Sequence, residues 1–436
     1  MKLMDSDMHI IEPPDLWERY TAPEFQSRAP KGWPGHENPS VLEIDGRVYP
    51  KSASKPTQNY QTMYGKLYDR YAHAIARGYD AVSQLEGMDR EGIDVGVLFP
   101  TRGLYALVSD DIDPSFAAAI ARAYNDWLAD FCSEDPSRLL GSAMVAPHSI
   151  NDAVTETRRM AEEHGFKSIF MRPNPVNGRN WHDPYYDPMW AEAEKQGIAV
   201  GFHEGGEVDL PQTGTQFPTT MMRHTCTHPM AMMLALVDII GGGVCERFPN
   251  LRIAFLEGNC SWAPFLLWRL DEHYEWREEY DAQHLTMKPS EYFKRQCYLS
   301  IECDEEPARY TMEALGENNF VFSTDYLRKG THELESGFIC LDAFATRGRQ
   351  RAEDHLPTLL DDIREIVDGQ RQNEPPLRSK RLYTRLSATE VRRLLSAQKG
   401  YTDDHLPTSQ TMTTKLNELG YFPKKVATTK PQNSTN

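Results

Sequence analysis

Several familiar features are missing from this chain of 436 residues, and each absence removes a class of protein. The seven cysteines (132, 226, 245, 260, 297, 303 and 340) are odd in number and none falls in a Cys-x-x-Cys pair. That suits a reduced, cytoplasmic protein better than a disulfide framework. Long apolar runs are also absent, and Asp5 and Asp7 break up the first apolar stretch, so neither a signal core nor a membrane span is expected. Positive charge is scarce: 47 Lys and Arg stand against 64 Asp and Glu, a formal charge of −17. That argues against a nucleic-acid surface spread over the whole chain. The imbalance is uneven, however, because residues 326–436 carry 18 basic against 14 acidic side chains and residues 1–325 carry 29 against 50. Two unlike segments are expected. Finally, no Gly-x-Gly-x-x-Gly follows the first apolar run, which speaks against an open dinucleotide-binding sheet.

What is present reads as alternating strands and helices. Eight short, largely apolar runs suit strands buried on both faces: 3–8, 95–99, 141–146, 168–171, 199–203, 253–257, 297–302 and 320–325. Helical patterns fall between most of them, at 69–88, 114–131, 151–163, 188–196, 230–247, 262–280 and 307–315. The second of these places Phe116, Ile120, Ala123, Trp127 and Phe131 at helical spacing. Eight such units in order predict an α/β fold, a parallel (β/α)8 TIM barrel with its working residues at the C-terminal strand ends. The first connection, from Pro14 to Lys66, is too long for a bare loop. Within it Leu42–Tyr49 reads as a hairpin turning at Asp45-Gly46, a lid or substrate wall leaving the end of strand 1.

Ligand-type side chains sit at three of the predicted strand ends. Asp7 and His9, two residues apart, point the same way from strand 1. His203 ends strand 5 and Asp325 ends strand 8. A barrel sets strands 1 and 8 side by side and strand 5 across the mouth, so two imidazoles and two carboxylates converge on one cation.

The stretches Asp5-Ser-Asp-Met-His-Ile-Ile-Glu-Pro, Tyr186-Asp-Pro-Met-Trp, Gly201-Phe-His-Glu, Thr227-His-Pro-Met, Glu246-Arg-Phe-Pro-Asn-Leu-Arg and Phe322-Ser-Thr-Asp-Tyr carry a resemblance. Through them, residues 1–326 resemble the amidohydrolase-related family that includes the aminocarboxymuconate-semialdehyde and dihydroxybenzoate decarboxylases. The resemblance implies one divalent metal, zinc or manganese, held by Asp7, His9, His203 and Asp325, with Asp325 doubling as general acid and base. It implies a small carboxylic acid as substrate and a homodimer without membrane association. An Asp at position 7, where many members have His, resembles the decarboxylase branch. Glu257 stands where many members place a catalytic His at the end of strand 6. It is expected either to handle the proton, with a raised pKa, or to partner a ligand histidine. Further candidates are Glu12, orienting a ligand or lining the pocket, and Arg172, clamping a substrate carboxylate or forming a salt bridge at the mouth. His228, at the predicted start of the helix before strand 6, faces substrate or a backbone carbonyl. Two chemistries fit the site: decarboxylation of an aromatic or enolic acid, and hydrolysis by activated water.

The resemblance stops after Tyr326, where the barrel lacks its usual last helix. Residues 327–351 form a junction in which Leu334, Phe338, Leu341 and Phe344 offer a substitute apolar face. Residues 352–436 read as a small all-α appendage, with helices at 357–367, from the capping box at Ser387 to Gly400, and at 408–419. The runs Arg381-Leu-Tyr-Thr-Arg-Leu-Ser and Lys415-Leu-Asn-Glu-Leu-Gly-Tyr-Phe-Pro-Lys-Lys resemble the helix-turn-helix part of an insertion-sequence transposase. The tail is open to two readings, DNA contact through its third helix or a basic appendage without a DNA role. With the transposase catalytic domain missing, no transposition is expected. A third reading of the whole chain is an inert barrel fused to such a fragment.

Overall fold

The computed structural model describes residues 3–32, 42–49, 73–204, 213–302, 305–324, 356, 358–369, 382–384, 386–402, 406–419 and 421–423. The chain divides into two compact units, 1–340 and 341–436.

The first unit is a parallel eight-stranded sheet whose strands follow in sequence order. They are β1 (Met4–Ile10), β2 (Val95–Pro100), β3 (Leu139–Met144), β4 (Ser168–Met171), β5 (Ala199–His203), β6 (Ile253–Leu256), β7 (Cys297–Glu302) and β8 (Phe320–Ser323). Strands such as β4, buried at every residue, are apolar on both faces because one side meets the barrel interior and the other meets helices. Seven helices follow the first seven strands in turn: α1 (Ala81–Glu91), α2 (Pro114–Cys132), α3 (Ile150–Glu163), α4 (Asp187–Gln196), α5 (Thr220–Gly241), α6 (Ala263–Arg277) and α7 (Ala308–Leu315). Their starts are chemically marked. Asp113 caps α2 by accepting from the Phe116 N–H, with Pro114 in the first turn, and Ser149 caps α3. Among the described residues β1 and β8 share no backbone ladder, so the barrel is nearly closed, with its seam between its first and last strands.

The strand ranges fall within two residues of those expected, but three helices differ. The expected helix 69–88 is interrupted at Gly78 and Tyr79, both left-handed (φ 67° and 57°), and α1 starts afresh from an Asp80 cap. The helix expected at 230–247 begins ten residues earlier at Thr220 and ends at Gly241, where Gly242 and Gly243 break it. Pro229 looks like a first-turn proline, yet it lies inside the helix, and Thr219 provides the actual cap. An unanticipated helix, Pro289–Gln296, precedes β7. The hairpin is present as Leu42–Ile44 and Arg47–Tyr49, with Asp45 and Gly46 at φ 49° and 74°, the left-handed pair that a two-residue turn requires.

In the second unit, helices Leu359–Gly369, Ala388–Lys399 and Ser409–Glu418 pack Leu359, Ile363, Val391, Leu395, Met412 and Leu416 into a small core of their own. A short parallel strand pair, Leu382–Thr384 with Tyr421–Pro423, is added to the expected all-helical tail. Asp325 and the junction 327–351 lie outside the described residues. Among the described residues no helix is long and apolar enough to cross a membrane.

Candidate functional site

Alternation along β1 turns Asp5, Asp7 and His9 toward the barrel interior, and all three are fully buried. His203 reaches the same point from the end of β5. The His9 and His203 Nε2 atoms lie 3.1 Å apart, and Asp7 Oδ1 stands 3.2 Å from His203 Nε2 and 4.0 Å from His9 Nε2.

The other ring nitrogens decide what this cluster is suited to. His9 Nδ1 is 2.7 Å from the Pro100 carbonyl oxygen, and His203 Nδ1 is 2.5 Å from that of Glu204. A carbonyl only accepts, so each Nδ1 donates a proton to it and each ring turns its Nε2 inward. Two ring nitrogens and a carboxylate then face one another in a buried space, which is the kind of donor set that holds a cation. Ligands about 2.1 Å from a shared ion stand about 3 to 3.4 Å apart; two of the three spacings fall in that range, and the Asp7–His9 spacing of 4.0 Å is wider. Asp7, His9 and His203 therefore fit a divalent metal, and carbonyl anchoring of the far nitrogens fixes the tautomer such ligands need.

A second pair adjoins the cluster. Glu257, just past β6, places Oε2 3.3 Å from His203 Nε2 and Oε1 3.6 Å from His228 Nε2. Its backbone is left-handed (φ 52°), an uncommon state for a residue with a Cβ, and its N–H donates to Ser300 Oγ on β7 at 2.9 Å. His228 comes from the third turn of α5, not from its start as expected. Its ring lies tilted by 33° against that of His224 with centroids 4.2 Å apart, and Thr227 Oγ1 is 3.1 Å from its Nδ1. The floor beneath His203 is Phe99 of β2, stacked at 5.4 Å. Gly201 makes room for that ring, since a Cβ there would meet Phe99 at 3.2 Å.

Glu12 and Arg172 are engaged with neighbouring loops. The Glu12 carboxylate accepts N–H bonds from Thr101, Arg102 and Gly103 at 3.1, 2.8 and 2.8 Å. Burial pushes its pKa up, and those N–H groups oppose the rise. The Arg172 guanidinium pairs with Asp110 and donates to the Val108 and Pro175 carbonyls at 2.5 Å each. It ties the loop after β2 to the loop after β4. Sequence reasoning passed over Asp5, Phe99, Thr324 and His224. For Asp5 a signal existed, because Asp5, Asp7 and His9 share one period-two face.

Comparison with known proteins agrees with this architecture. The amidohydrolase family model matches residues 53–353. The 2-amino-3-carboxymuconate-6-semialdehyde decarboxylase of Dictyostelium discoideum is 29% identical over 251 residues, spanning 57% of this chain and 67% of that protein. In fold, the chain resembles an amidohydrolase from Mycobacterium avium subsp. paratuberculosis K-10, with a TM-score of 0.61 at 20% identity, covering 77% of this chain and 94% of that one. It also resembles a 5-carboxyvanillate decarboxylase from Novosphingobium aromaticivorans DSM 12444, solved with manganese and 4-hydroxy-3-methoxy-5-nitrobenzoic acid, at a TM-score of 0.53 and 19% identity over 78% and 90% of the two chains. With its family model covering most of the barrel, the chain belongs to the amidohydrolase family.

Proposed function

We propose that the barrel is a metal-dependent carboxy-lyase acting on an aromatic or enolic carboxylic acid, with one divalent ion held by Asp7, His9, His203 and Asp325. The observation that carries this reading is the inward convergence of two buried imidazole nitrogens and a buried carboxylate beside a Glu–His pair. Similarity to decarboxylases of related acids supports the lyase over the hydrolase. Manganese in the 5-carboxyvanillate decarboxylase keeps that ion beside zinc, to which a nitrogen-rich set is equally suited.

When bound, the ion supplies positive charge that orients a substrate oxygen and offsets negative charge developing on the substrate. The remaining work belongs to the protein. As the bond between ring carbon and carboxyl carbon breaks, its electron pair stays on the ring carbon and carbon dioxide leaves. A proton must then reach that carbon, and Glu257 Oε1 or Oε2 delivers it, with His228 replenishing Glu257 from the side of α5. The left-handed backbone at Glu257 and the Ser300 hydroxyl behind it hold the carboxyl toward the cluster. Glu12 and Arg172 serve the substrate by holding the loops that form the mouth, and the hairpin at 42–49 forms part of its wall.

Metal analysis together with a substrate panel tests the reading. Purified protein should carry one zinc or manganese per chain, lost in His203→Ala, and should release carbon dioxide from hydroxylated benzoic acids. Water uptake with an amide or ester, without carbon dioxide release, would transfer the site to a hydrolase. For residues 352–436 we propose an appendage of transposase type, built around a helical core of its own. A DNA role would appear as binding that weakens steeply with salt. We further propose a cytoplasmic homodimer. Phe265, Trp268 and Trp276, each more than half exposed along α6, support self-association that light scattering would detect.

A further inference from the structure

The seam between β1 and β8 lacks a backbone ladder among the described residues, yet it lies directly beside the cluster. One side chain bridges it. Asp5 is fully buried, and its Oδ1 accepts the N–H of Asp7 at 3.0 Å and that of Thr324 at 3.4 Å. Its Oδ2 accepts the Thr324 hydroxyl. The carboxylate thus grips the backbone of a candidate ligand on β1 and the last described residue after β8, whose sequence neighbour is Asp325. The pairing of β1 with β2 also shifts register between Asp5 and Met8, so the ladder does not hold Asp7 in step. At that irregularity the Asp5 carboxylate supplies the acceptor that a regular ladder would otherwise provide.

We propose that Asp5 is a positioning residue: a buried clasp that sets Asp7, on β1, and Thr324, just past β8, at the spacing one divalent ion requires. It touches neither ion nor substrate and acts through the residues it holds. The inference rests on the metal-centre reading above. A neutral or shortened side chain at position 5, or a valine at 324, loosens the seam while leaving Asp7, His9 and His203 in the chain. Outer partners of metal ligands typically change affinity by about 10- to 100-fold, and the clasp is expected to fall in that range.

The test compares wild type with Asp5→Asn, Thr324→Val and Thr324→Ser in the full chain. Manganese affinity is read by electron paramagnetic resonance and ligand geometry by the visible spectrum of the cobalt form, with circular dichroism and thermal melting as folding controls. Thr324→Val is nearly isosteric with the wild type and keeps the N–H bond, so it should fold and separate positioning from stability. The clasp predicts at least about tenfold weaker manganese binding and an altered cobalt spectrum in Asp5→Asn and Thr324→Val, with Thr324→Ser restored to wild type. Wild-type affinity and spectrum in a folded Thr324→Val protein would overturn the clasp alone. Failure of wild type itself to bind manganese, zinc or cobalt would overturn the metal-centre reading, and the clasp with it.

Discussion

Replacing Glu12 by glutamine should destabilise the barrel far more than a surface substitution would. The carboxylate receives Thr101 and Gly103 N–H on one oxygen and Arg102 N–H on the other, and all of these groups are buried or nearly so. Glutamine keeps one carbonyl oxygen but turns an NH2 toward another of the N–H donors. One buried N–H is left without an acceptor, which costs about 1 to 3 kcal/mol. Alanine would orphan all three, for about 3 to 9 kcal/mol by the same reasoning, a large part of the ~5–15 kcal/mol that holds a typical domain. All eight tryptophans lie between residues 17 and 276, so fluorescence in urea reports the barrel without the tail. At a slope of about 3 kcal/mol per molar, a 2 kcal/mol loss lowers the midpoint by about 0.7 M. A glutamine variant within about 0.5 kcal/mol of wild type, the ordinary range for surface changes, would refute the account of Glu12 as the anchor of that turn.

Three further outcomes follow from specific contacts. Gly201→Ala places a methyl group 3.2 Å from the Phe99 ring, so it should cost about 1 to 3 kcal/mol and change the near-ultraviolet circular dichroism; an unchanged spectrum and melt would contradict the packing of Phe99 under His203. Glu192 is held down to about 2 chiefly by its hydrogen bonds from Arg158, against burial, so its contribution is present above about pH 4.5 and is lost as pH falls toward 2. The full shift is worth about 3 kcal/mol, which partial exposure of Arg158 reduces to about 1 to 2 kcal/mol. Glu192→Gln should therefore separate from wild type in urea melts at pH 7 and converge with it near pH 2.5, and an equal gap at both would count against the pair. Glu257→Gln should retain its metal while losing about 10²- to 10⁴-fold in turnover, and near-wild-type turnover would remove Glu257 from the chemistry.

The strands were readable because a parallel barrel buries both faces of each one, so its sequence holds an uninterrupted apolar run such as 169–171 or 199–202. Helix boundaries were harder wherever one residue type serves two purposes. Pro229 reads as a helix start because its missing N–H is harmless in a first turn, but tertiary packing carries α5 through it. The break at Gly78 and Tyr79 was hidden for the opposite reason. A left-handed tyrosine carries no compositional mark, and the apolar pattern continues across it.

The same reasoning separates the parts of the site that could be read from those that could not. Asp7, His9 and His203 announce themselves because ligand-type residues at apolar strand ends are chemically out of place, and barrel order alone brings strands 1 and 5 to one mouth. Partners of the backbone carry no such mark. Glu12 finds its donors about ninety residues away, and Asp5 reaches Thr324 across 319. Neither pairing follows from any periodicity, since each depends on how far a loop descends after its strand. Buried carboxylates answer a need for acceptors that exists only once the backbone is in place. Asp5 occupies the same alternating face as two candidate ligands, and alternation reveals the face without distinguishing a residue that binds an ion from one that holds its neighbour. Hydrogen-bond partners make that distinction: the Asp5 oxygens point to N–H and O–H donors, whereas the His9 and His203 Nε2 atoms point to each other.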